Sequence, residues 1–440
     1  MTALEGTASR VQGEVRRRPL LALYAASLIS VTGDSMAAVA IPWFVLLTTG
    51  SAVQTGVAAF FSVTPIIIGM VFGGTVVDRT GFRRISIAAD LASGVMILLI
   101  PLLHFSIGLS FPAMLALVFL SNLLDAPGGS ARRAMLPELA AAAGIPIEKA
   151  TAYAESVSRA TLMIGAPAAG LLVTLMGAPV VLLVDALTFL VSALIVGAFV
   201  PAALVEQKAP ADAPKTSYME DLREGVRFVR HHRLILAIIV VVMFTNMIDS
   251  AAFSVSLPVW AEMVFGAENG AVNLGLLIGV FGGAALGGAF LYSLIATKPS
   301  RRLLLGLGFG MAGVMQIMFA AAPPVWALIG LAIFTGILVA PLNPLLSTLV
   351  FERVPVELRA RVMSLLSAGV MVGMPLGALA AGYVLEFLGV QVAYVLYGSV
   401  YLIAALIFRF HPALRDVEAR TPPTLEAVVD AASAAERSAA

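Results

Sequence analysis

The chain has 440 residues, of which 60% are hydrophobic and only 12% are charged, and its mean hydropathy is +0.98. Soluble domains carry about 25% charged residues, so this composition excludes a water-soluble protein and makes lipid the solvent for most of the chain. The net charge of +1 argues against a nucleic-acid partner, and the absence of cysteine excludes disulfides, thiolate metal sites and a cysteine nucleophile.

Twelve apolar stretches are long enough to cross a membrane, since a helix needs about 20 residues to span about 30 Å of hydrocarbon. The first follows Arg16, Arg17 and Arg18, is too long for a signal peptide and ends in no cleavage site, so we expect it to be retained. The predicted spans, numbered 1 to 12 in chain order, are 20–47, 53–75, 85–106, 111–130, 151–175, 179–201, 234–258, 272–296, 303–321, 325–350, 362–386 and 391–410.

Positive charges predict the orientation of these spans. All of the 27 Lys and Arg residues except Arg159 lie at the termini or in alternate loops. By the positive-inside rule, both termini and the longest polar loop are cytoplasmic, in a multi-pass protein of the cell membrane. The predicted organisation is a cytoplasmic N-terminus, a six-helix bundle, a cytoplasmic linker, a second six-helix bundle and a cytoplasmic tail, at 1–18, 19–201, 202–233, 234–410 and 411–440.

The two halves of the chain repeat in parallel. Four short motifs recur at a nearly constant offset: Gly33-Asp34-Ser35 as Ile248-Asp249-Ser250, Gly73-Gly74 as Gly287-Gly288, Arg83-Arg84 as Arg301-Arg302, and Gly165-Ala166-Pro167 as Gly373-Met374-Pro375. Such repeats are known from transporters that rock around a central site, whereas an enzyme or a receptor needs no comparable symmetry. The sequence therefore predicts an all-α membrane protein of two pseudo-symmetric six-helix bundles.

The loop after span 2 carries a patterned charge motif, GTVVDRTGFRR at 74–84. Its second glycine permits a tight turn. The motif resembles the loop 2–3 signature of the major facilitator superfamily, with Phe82 in place of the usual basic residue. The resemblance implies the twelve-helix fold of that family and a cytoplasmic gating role for Gly74, Asp78, Arg79, Gly81 and Arg83. The alternative is a plain cytoplasmic loop with a helix-capping Asp.

Span 5 contains a cluster of small residues around a proline. Gly165, Pro167 and Gly170 resemble the antiporter signature of the family's drug exporters, with one inserted alanine. Ordinary close packing of membrane helices is the alternative interpretation. The family's span-4 arginine is absent from 113–124. The run of motifs along the chain, including RRAMLPE and EDLREGVRF, is similar to that of actinobacterial multidrug efflux pumps of the Tap type and, more loosely, of macrolide and enterobactin exporters.

Ionisable side chains inside a bilayer usually mark function, because each costs about 2.5–3.5 kcal/mol to insert. Asp34 and Asp249 lie near the midplane of spans 1 and 7, and the prediction places no Lys or Arg at that depth. Burial disfavours a charged carboxylate, so each could take up and release a proton. The alternative is a structural carboxyl group hydrogen-bonded to a neighbour such as Asn246 or Ser250.

Two further charged positions have two interpretations each. Glu155 and Arg159 are spaced for an ion pair across one helical turn, which is either structural or part of proton coupling. Asp185, in the outer third of span 6, either attracts cationic substrates or is capped by Thr188 and Ser192.

The remaining candidates are aromatic or lie near span ends. Trp43 and Trp260 suit either interfacial anchoring or stacking on a substrate. Asp90 and Asp125 lie near predicted cytoplasmic ends, where we expect them to stabilise loops. The predicted proton-coupling residues are Asp34, Asp249 and Glu155. The predicted substrate-cavity residues are Asp34, Trp43, Asp185, Asn246 and Asp249.

These observations predict a secondary transporter that exports small amphiphilic or cationic compounds in exchange for protons, as a monomer in the lipid bilayer. The sequence has no GxxxxGK[ST] phosphate loop, so an ion gradient is the expected energy source. No catalytic or metal-ligand grouping is visible, so no enzyme activity, cofactor or metal is expected. The alternatives are a dedicated exporter of one siderophore or lipid, and a transport-inactive sensor or scaffold. The span-5 signature disfavours a nutrient importer.

Overall fold

The computed structural model describes residues 2–205, 226–295 and 300–410, and all regular structure within these ranges is helical. Spans 1 to 6 are the helices Thr2–Thr49, Ala52–Thr80, Phe82–Ser106, Phe111–Ala142, Ile147–Met176 and Ala178–Phe199. A short helix, Ala202–Val205, follows, and residues 226–231 are helical as well. Span 9 is Arg301–Ala320, span 10 is Val325–Val339 continued by Leu342–Arg353, and spans 11 and 12 are Val356–Leu388 and Val390–Phe410.

Spans 7 and 8 lie in one helical run. Helix Arg233–Ala251 passes through a π-helical turn, Ala252–Ser256, into helix Leu257–Ile295, which is broken at Gly266 with φ 74° and ψ 169°. The described residues contain 11 stretches apolar and long enough to cross a membrane, one of them 61 residues long. At about 1.5 Å per residue that stretch would exceed a bilayer about threefold, so the break at Gly266 separates two crossings. The predicted twelve-span fold is confirmed.

Span 4 is longer than predicted. Its helix continues to Ala142 instead of ending near residue 130. The added turns are buried, because Met135 and Leu139 pack in one apolar cluster with Leu23 of span 1 and Val196 of span 6. The sequence predicts an earlier end of span 4 because two adjacent arginines, Arg132 and Arg133, are typical of a cytoplasmic loop.

The helices form two units by their contacts. The first holds spans 1 to 6 together with Leu257–Gly279, and the second holds the rest of spans 7 and 8 with spans 9 to 12. In the first unit, Arg83 at the start of span 3 donates to the Gly197 carbonyl near the end of span 6, at 2.6 Å. In the second unit, Arg302 at the start of span 9 donates to the Arg409 carbonyl at the end of span 12, at 2.5 Å. These corresponding contacts support the repeat, while the exact domain bounds stay a prediction.

Candidate functional site

Arg132 of span 4 lies inside the first unit. Its guanidinium donates at 2.5 Å to Oδ1 of Asp90 in span 3 and lies 3.5 Å from Oδ1 of Asp125. Ser192 of span 6 donates to Oδ2 of Asp90 at 2.7 Å. Both carboxylate oxygens of Asp90, a completely buried residue, are therefore bound. A buried ion pair offsets its desolvation when further hydrogen bonds satisfy its atoms, so this group ties spans 3, 4 and 6 together.

The predicted loop-stabilising role is therefore wrong for Asp90. One feature of the sequence could have identified Arg132 as the partner of Asp90. The apolar run continues past Arg132 to Ala142, which indicates a helix that buries a cation. Asp125 keeps a side-chain exposure of 27% beside the same guanidinium.

Asp34 lies on span 1 between two close helix contacts. A Cβ added at Gly33 would lie 2.1 Å from Oγ1 of Thr188 in span 6. A Cβ added at Gly165 would lie 2.5 Å from Cβ of Ser35. The two glycines therefore let spans 6 and 5 approach span 1 on either side of Asp34.

The carboxylate of Asp34 is half-buried and lies within electrostatic reach of Asp90, Asp125, Asp185 and Arg132. Among the residues that the structure describes, none donates a hydrogen bond to it or forms an ion pair with it. Asp34 is therefore a membrane-embedded carboxylate that is not committed to a structural partner.

Asp185 lies across from Gly33 and is only 1% exposed. The Thr188 hydroxyl lies near the carboxylate, as predicted, at 3.4 Å from Oδ1, but it donates to the backbone carbonyl of Asp185 at 2.7 Å. The predicted cap by Ser192 is wrong, since that hydroxyl donates to Asp90. Asp185 is thus part of the buried acidic cluster of the first unit.

Asp249 of span 7 has a partner that the sequence did not indicate. The hydroxyl of Tyr401 in span 12 donates to Oδ1 of Asp249. Asn246 donates instead to a carbonyl of its own helix at 2.8 Å, and Oγ of Ser250 makes no hydrogen bond with the described residues. The two predicted neighbours are therefore wrong as partners of this carboxylate.

Trp43 is completely buried, and so is Trp260. A Cβ added at Gly270 would lie 2.3 Å from Cη2 of Trp43, so the indole packs directly on that glycine. Complete burial does not fit an interfacial anchor, and the predicted role of Trp43 in a substrate cavity stays a prediction. Its bulk fixes the position of the chain around Gly270.

Glu155 and Arg159 form the predicted ion pair, with 3.1 Å between Oε1 and Nη2. The side chains are 62% and 54% exposed, respectively. A pair this exposed contributes about 0.3–0.5 kcal/mol. The contact is confirmed, and a role of Glu155 in proton coupling stays a prediction.

The loop 2–3 motif is described in part. Gly81 begins span 3 with φ 95°, as the predicted tight turn requires, and Arg83 binds the Gly197 carbonyl. The side chains of residues 70–80 lie outside the described part of the chain, so the predicted roles of Gly74, Asp78 and Arg79 stay predictions.

Comparison with known proteins decides the family. Residues 23–327 and 274–437 match the model of the Major Facilitator Superfamily. The chain belongs to this superfamily. The predicted resemblance is thereby confirmed, and the protein is a multi-pass membrane transporter of small molecules rather than an enzyme.

Relatives of the transporter match nearly its whole length. It is 27% identical over 412 residues to the multidrug efflux pump Tap of Mycobacterium tuberculosis, covering 91% of this chain and 95% of the relative. It is 26% identical over 416 residues to Tap of Mycolicibacterium fortuitum, covering 93% and 99%. Among solved structures, the nucleoside transporter NupG superposes with a TM-score of 0.74 at 11% identity, covering 89% of this chain and 98% of NupG. That last match shows the fold alone.

The small residues of span 5 in the transporter face span 8 within the first unit. A Cβ added at Gly170 would lie 2.3 Å from the Ala271 carbonyl oxygen, and one added at Gly275 would lie 2.6 Å from the Ala166 carbonyl oxygen. Pro167 fills the space over Gly279 in the same way, at 2.4 Å. This stripe brings two helix backbones into direct contact.

Gly170→Ala is expected to destabilise the transporter by about 1–3 kcal/mol, because the added methyl group meets a backbone atom that cannot rotate away. The thermal midpoint of the purified protein in detergent measures the effect. Gly282→Ala is the matched control, since a Cβ there meets nothing within 4 Å. Equal midpoints for the two variants would show that this helix contact is not tight.

Proposed function

We propose that this transporter exports small amphiphilic or cationic compounds, driven by protons that move in the opposite direction. The observation that carries the proposal is the charge balance inside the first unit. Four carboxylates, of Asp34, Asp90, Asp125 and Asp185, share the interior with the guanidinium of Arg132. Arg132 offsets one negative charge, Arg133 also acts on the partly exposed Asp125, and the bilayer interior disfavours the remaining charges. The surplus carboxylates therefore hold protons or a bound cation.

Asp34 is the proton carrier that this balance favours. Asp90 is engaged on both oxygens, and Asp185 is almost completely buried. Asp34 is half-buried and has no hydrogen-bond donor among the described residues, so a proton or a cationic group can reach it. Asp249 is the corresponding carboxylate of the second unit, and Glu155 is a third candidate for proton coupling.

Exchange follows when proton and substrate compete for the same carboxylates. A cationic compound displaces the proton on the cytoplasmic side, and a proton displaces the compound on the outer side. For a neutral amphiphile, the one charge that crosses about 100 mV with each proton supplies about 2.3 kcal/mol, enough to concentrate the solute about 50-fold. Exchange of a monovalent cation for one proton moves no net charge, so the pH gradient drives it. We place the protein in the cell membrane with both termini in the cytoplasm and expect it to act as a monomer.

The relatives support the substrate class in this proposal. Two proteins that match over more than nine-tenths of this chain are described as multidrug efflux pumps. The acidic interior described above fits compounds that carry a positive charge beside an apolar body, because the charge meets carboxylates and the body meets apolar helix faces.

Accumulation of cationic dyes and drugs in pump-deficient bacteria tests the proposal. Cells that express the transporter are expected to accumulate less compound than cells with empty vector, and a protonophore is expected to abolish the difference. Equal accumulation across a broad panel would reject multidrug export and favour a dedicated substrate. A difference that persists in the presence of the protonophore would reject proton coupling.

A further inference from the structure

Asp249 is hydrogen-bonded through one carboxylate oxygen, and the other has no hydrogen-bond donor among the described residues. Tyr401, which is 4% exposed, donates its hydroxyl to Oδ1. No described residue donates a hydrogen bond to Oδ2, and the residue is exposed by its solvent-accessible surface. Asp90 is the contrasting case, because both of its oxygens are bound inside the first unit. Asp249 thus has a hydrogen bond on Oδ1 and none from a described residue on Oδ2.

Span 12 makes a second contact with span 7, just after Asp249. The π-helical turn Ala252–Ser256 begins three residues later, and such turns are frequent at functional sites. The Ser256 hydroxyl lies 3.1 Å from the hydroxyl of Tyr397, which is one helical turn before Tyr401 on span 12. Span 12 therefore contacts span 7 twice, at Asp249 before the π-helical turn and at Ser256, the last residue of the turn.

Within the described part of the second unit, few groups besides Tyr401 can influence the protonation of the Asp249 carboxylate. Tyr401 is its titratable neighbour, and Asp249 is in turn the charged neighbour of Tyr401. Span 11 faces span 7 nearby through Gly373 and Gly377, which contact methionines. Phe309 of span 9 lies beside the ring of Tyr401, with centroids 6.4 Å apart. Neither the glycines nor the phenylalanine can ionise, so Tyr401 is the titratable group that contacts the carboxylate among the described residues of this unit.

We propose that Tyr401 is a positioning residue, which holds Asp249 through Oδ1 so that Oδ2 stays available to bind a proton or the cationic group of a substrate. The inference rests on the proposed function and deepens it, since it gives the second unit a binding carboxylate of its own.

Equilibrium binding of tetraphenylphosphonium to the purified full-length protein across a pH series tests this inference. Binding to wild type is expected to weaken as the pH falls, because protons compete with the cation for carboxylates. Tyr401→Phe is expected to shift the midpoint of this dependence by about one pH unit, since a hydrogen bond to a charged group changes such an equilibrium about tenfold. Tyr394→Phe is the control, because its buried hydroxyl has no hydrogen-bond partner among the described residues.

A double variant separates positioning from general packing. If Tyr401 acts through Asp249, Asp249→Asn and the double variant with Tyr401→Phe are expected to have the same midpoint. Two results would overturn the inference and leave the proposed function standing. One is the same pH midpoint for Tyr401→Phe and Tyr394→Phe. The other is a midpoint shift caused by Tyr401→Phe that is as large in the Asp249→Asn protein as in wild type. Wild-type protein that binds no tetraphenylphosphonium, or binds it equally at every pH, contradicts the proposed function as well.

A second route applies where Tyr401→Phe does not fold. 3-Fluorotyrosine introduced at position 401 keeps the shape of the side chain and makes its hydroxyl a stronger donor. The midpoint is then expected to differ from that of wild type. An unchanged midpoint in that protein rejects the role of Tyr401.

Discussion

Arg132→Met is expected to prevent the transporter from accumulating in the membrane, because it leaves the buried carboxylate of Asp90 without its cation. Removing one partner of a buried ion pair costs about 3–5 kcal/mol. That cost is comparable with the whole stability of many proteins, about 5–15 kcal/mol. The yield of monodisperse protein and its thermal midpoint in detergent measure the effect.

The next residue provides a matched control for this substitution. Arg133→Met makes the same chemical change at an exposed position and is expected to leave yield and midpoint unchanged. Adding Asp90→Asn to Arg132→Met is expected to recover part of the loss, because it removes the charge that was left unpaired. Normal yield and midpoint for Arg132→Met alone would show that Asp90 is not held by this guanidinium.

Asp34→Asn is expected to fold normally and to lose proton-driven export completely. The amide is nearly the same size as the carboxylate and cannot release a proton, and no described residue depends on Asp34 for a hydrogen bond. The protonophore-sensitive difference in accumulation from cells with empty vector should therefore disappear. Accumulation of a cationic dye, followed with and without a protonophore, measures the loss.

Ser35→Ala is the control for this experiment, because its hydroxyl bonds only the Val31 carbonyl of its own helix, at 2.8 Å. It is expected to export like wild type. Full protonophore-sensitive export by Asp34→Asn would show that Asp34 does not carry the proton. Asp249 and Glu155 would then be the remaining candidates.

Much of the fold can be predicted from hydropathy and charge patterns along the sequence. The length of each apolar stretch and the alternation of charged loops predict twelve spans, because the bilayer imposes both on every helix. Gly81 was identifiable as a turn because the motif places it between two helices, and its φ is positive. The boundary between spans 7 and 8 was also anticipated, since Gly266 lies in the loop predicted between 258 and 272.

The buried contacts of the site could not be predicted in this way. Hydropathy counts Arg132 as a loop residue, because its neutralising partner Asp90 lies 42 residues away on another helix. Tyr401 lies 152 residues from Asp249 and looks in the sequence like any other aromatic residue of a span. Trp43 packs on Gly270, which no local pattern connects with it. Each of these contacts depends on which helices are neighbours, and helix packing determines that.

The exchange of a cation for a proton is tested most directly in liposomes that contain only the purified transporter. The lumen is made acidic and holds a pH-sensitive dye, and tetraphenylphosphonium is then added outside. We expect the compound to trigger release of luminal protons with wild type, and not with Asp34→Asn or with protein-free liposomes. Proton release by wild type no faster than by protein-free liposomes, across a panel of cationic and amphiphilic compounds, would contradict proton-driven export.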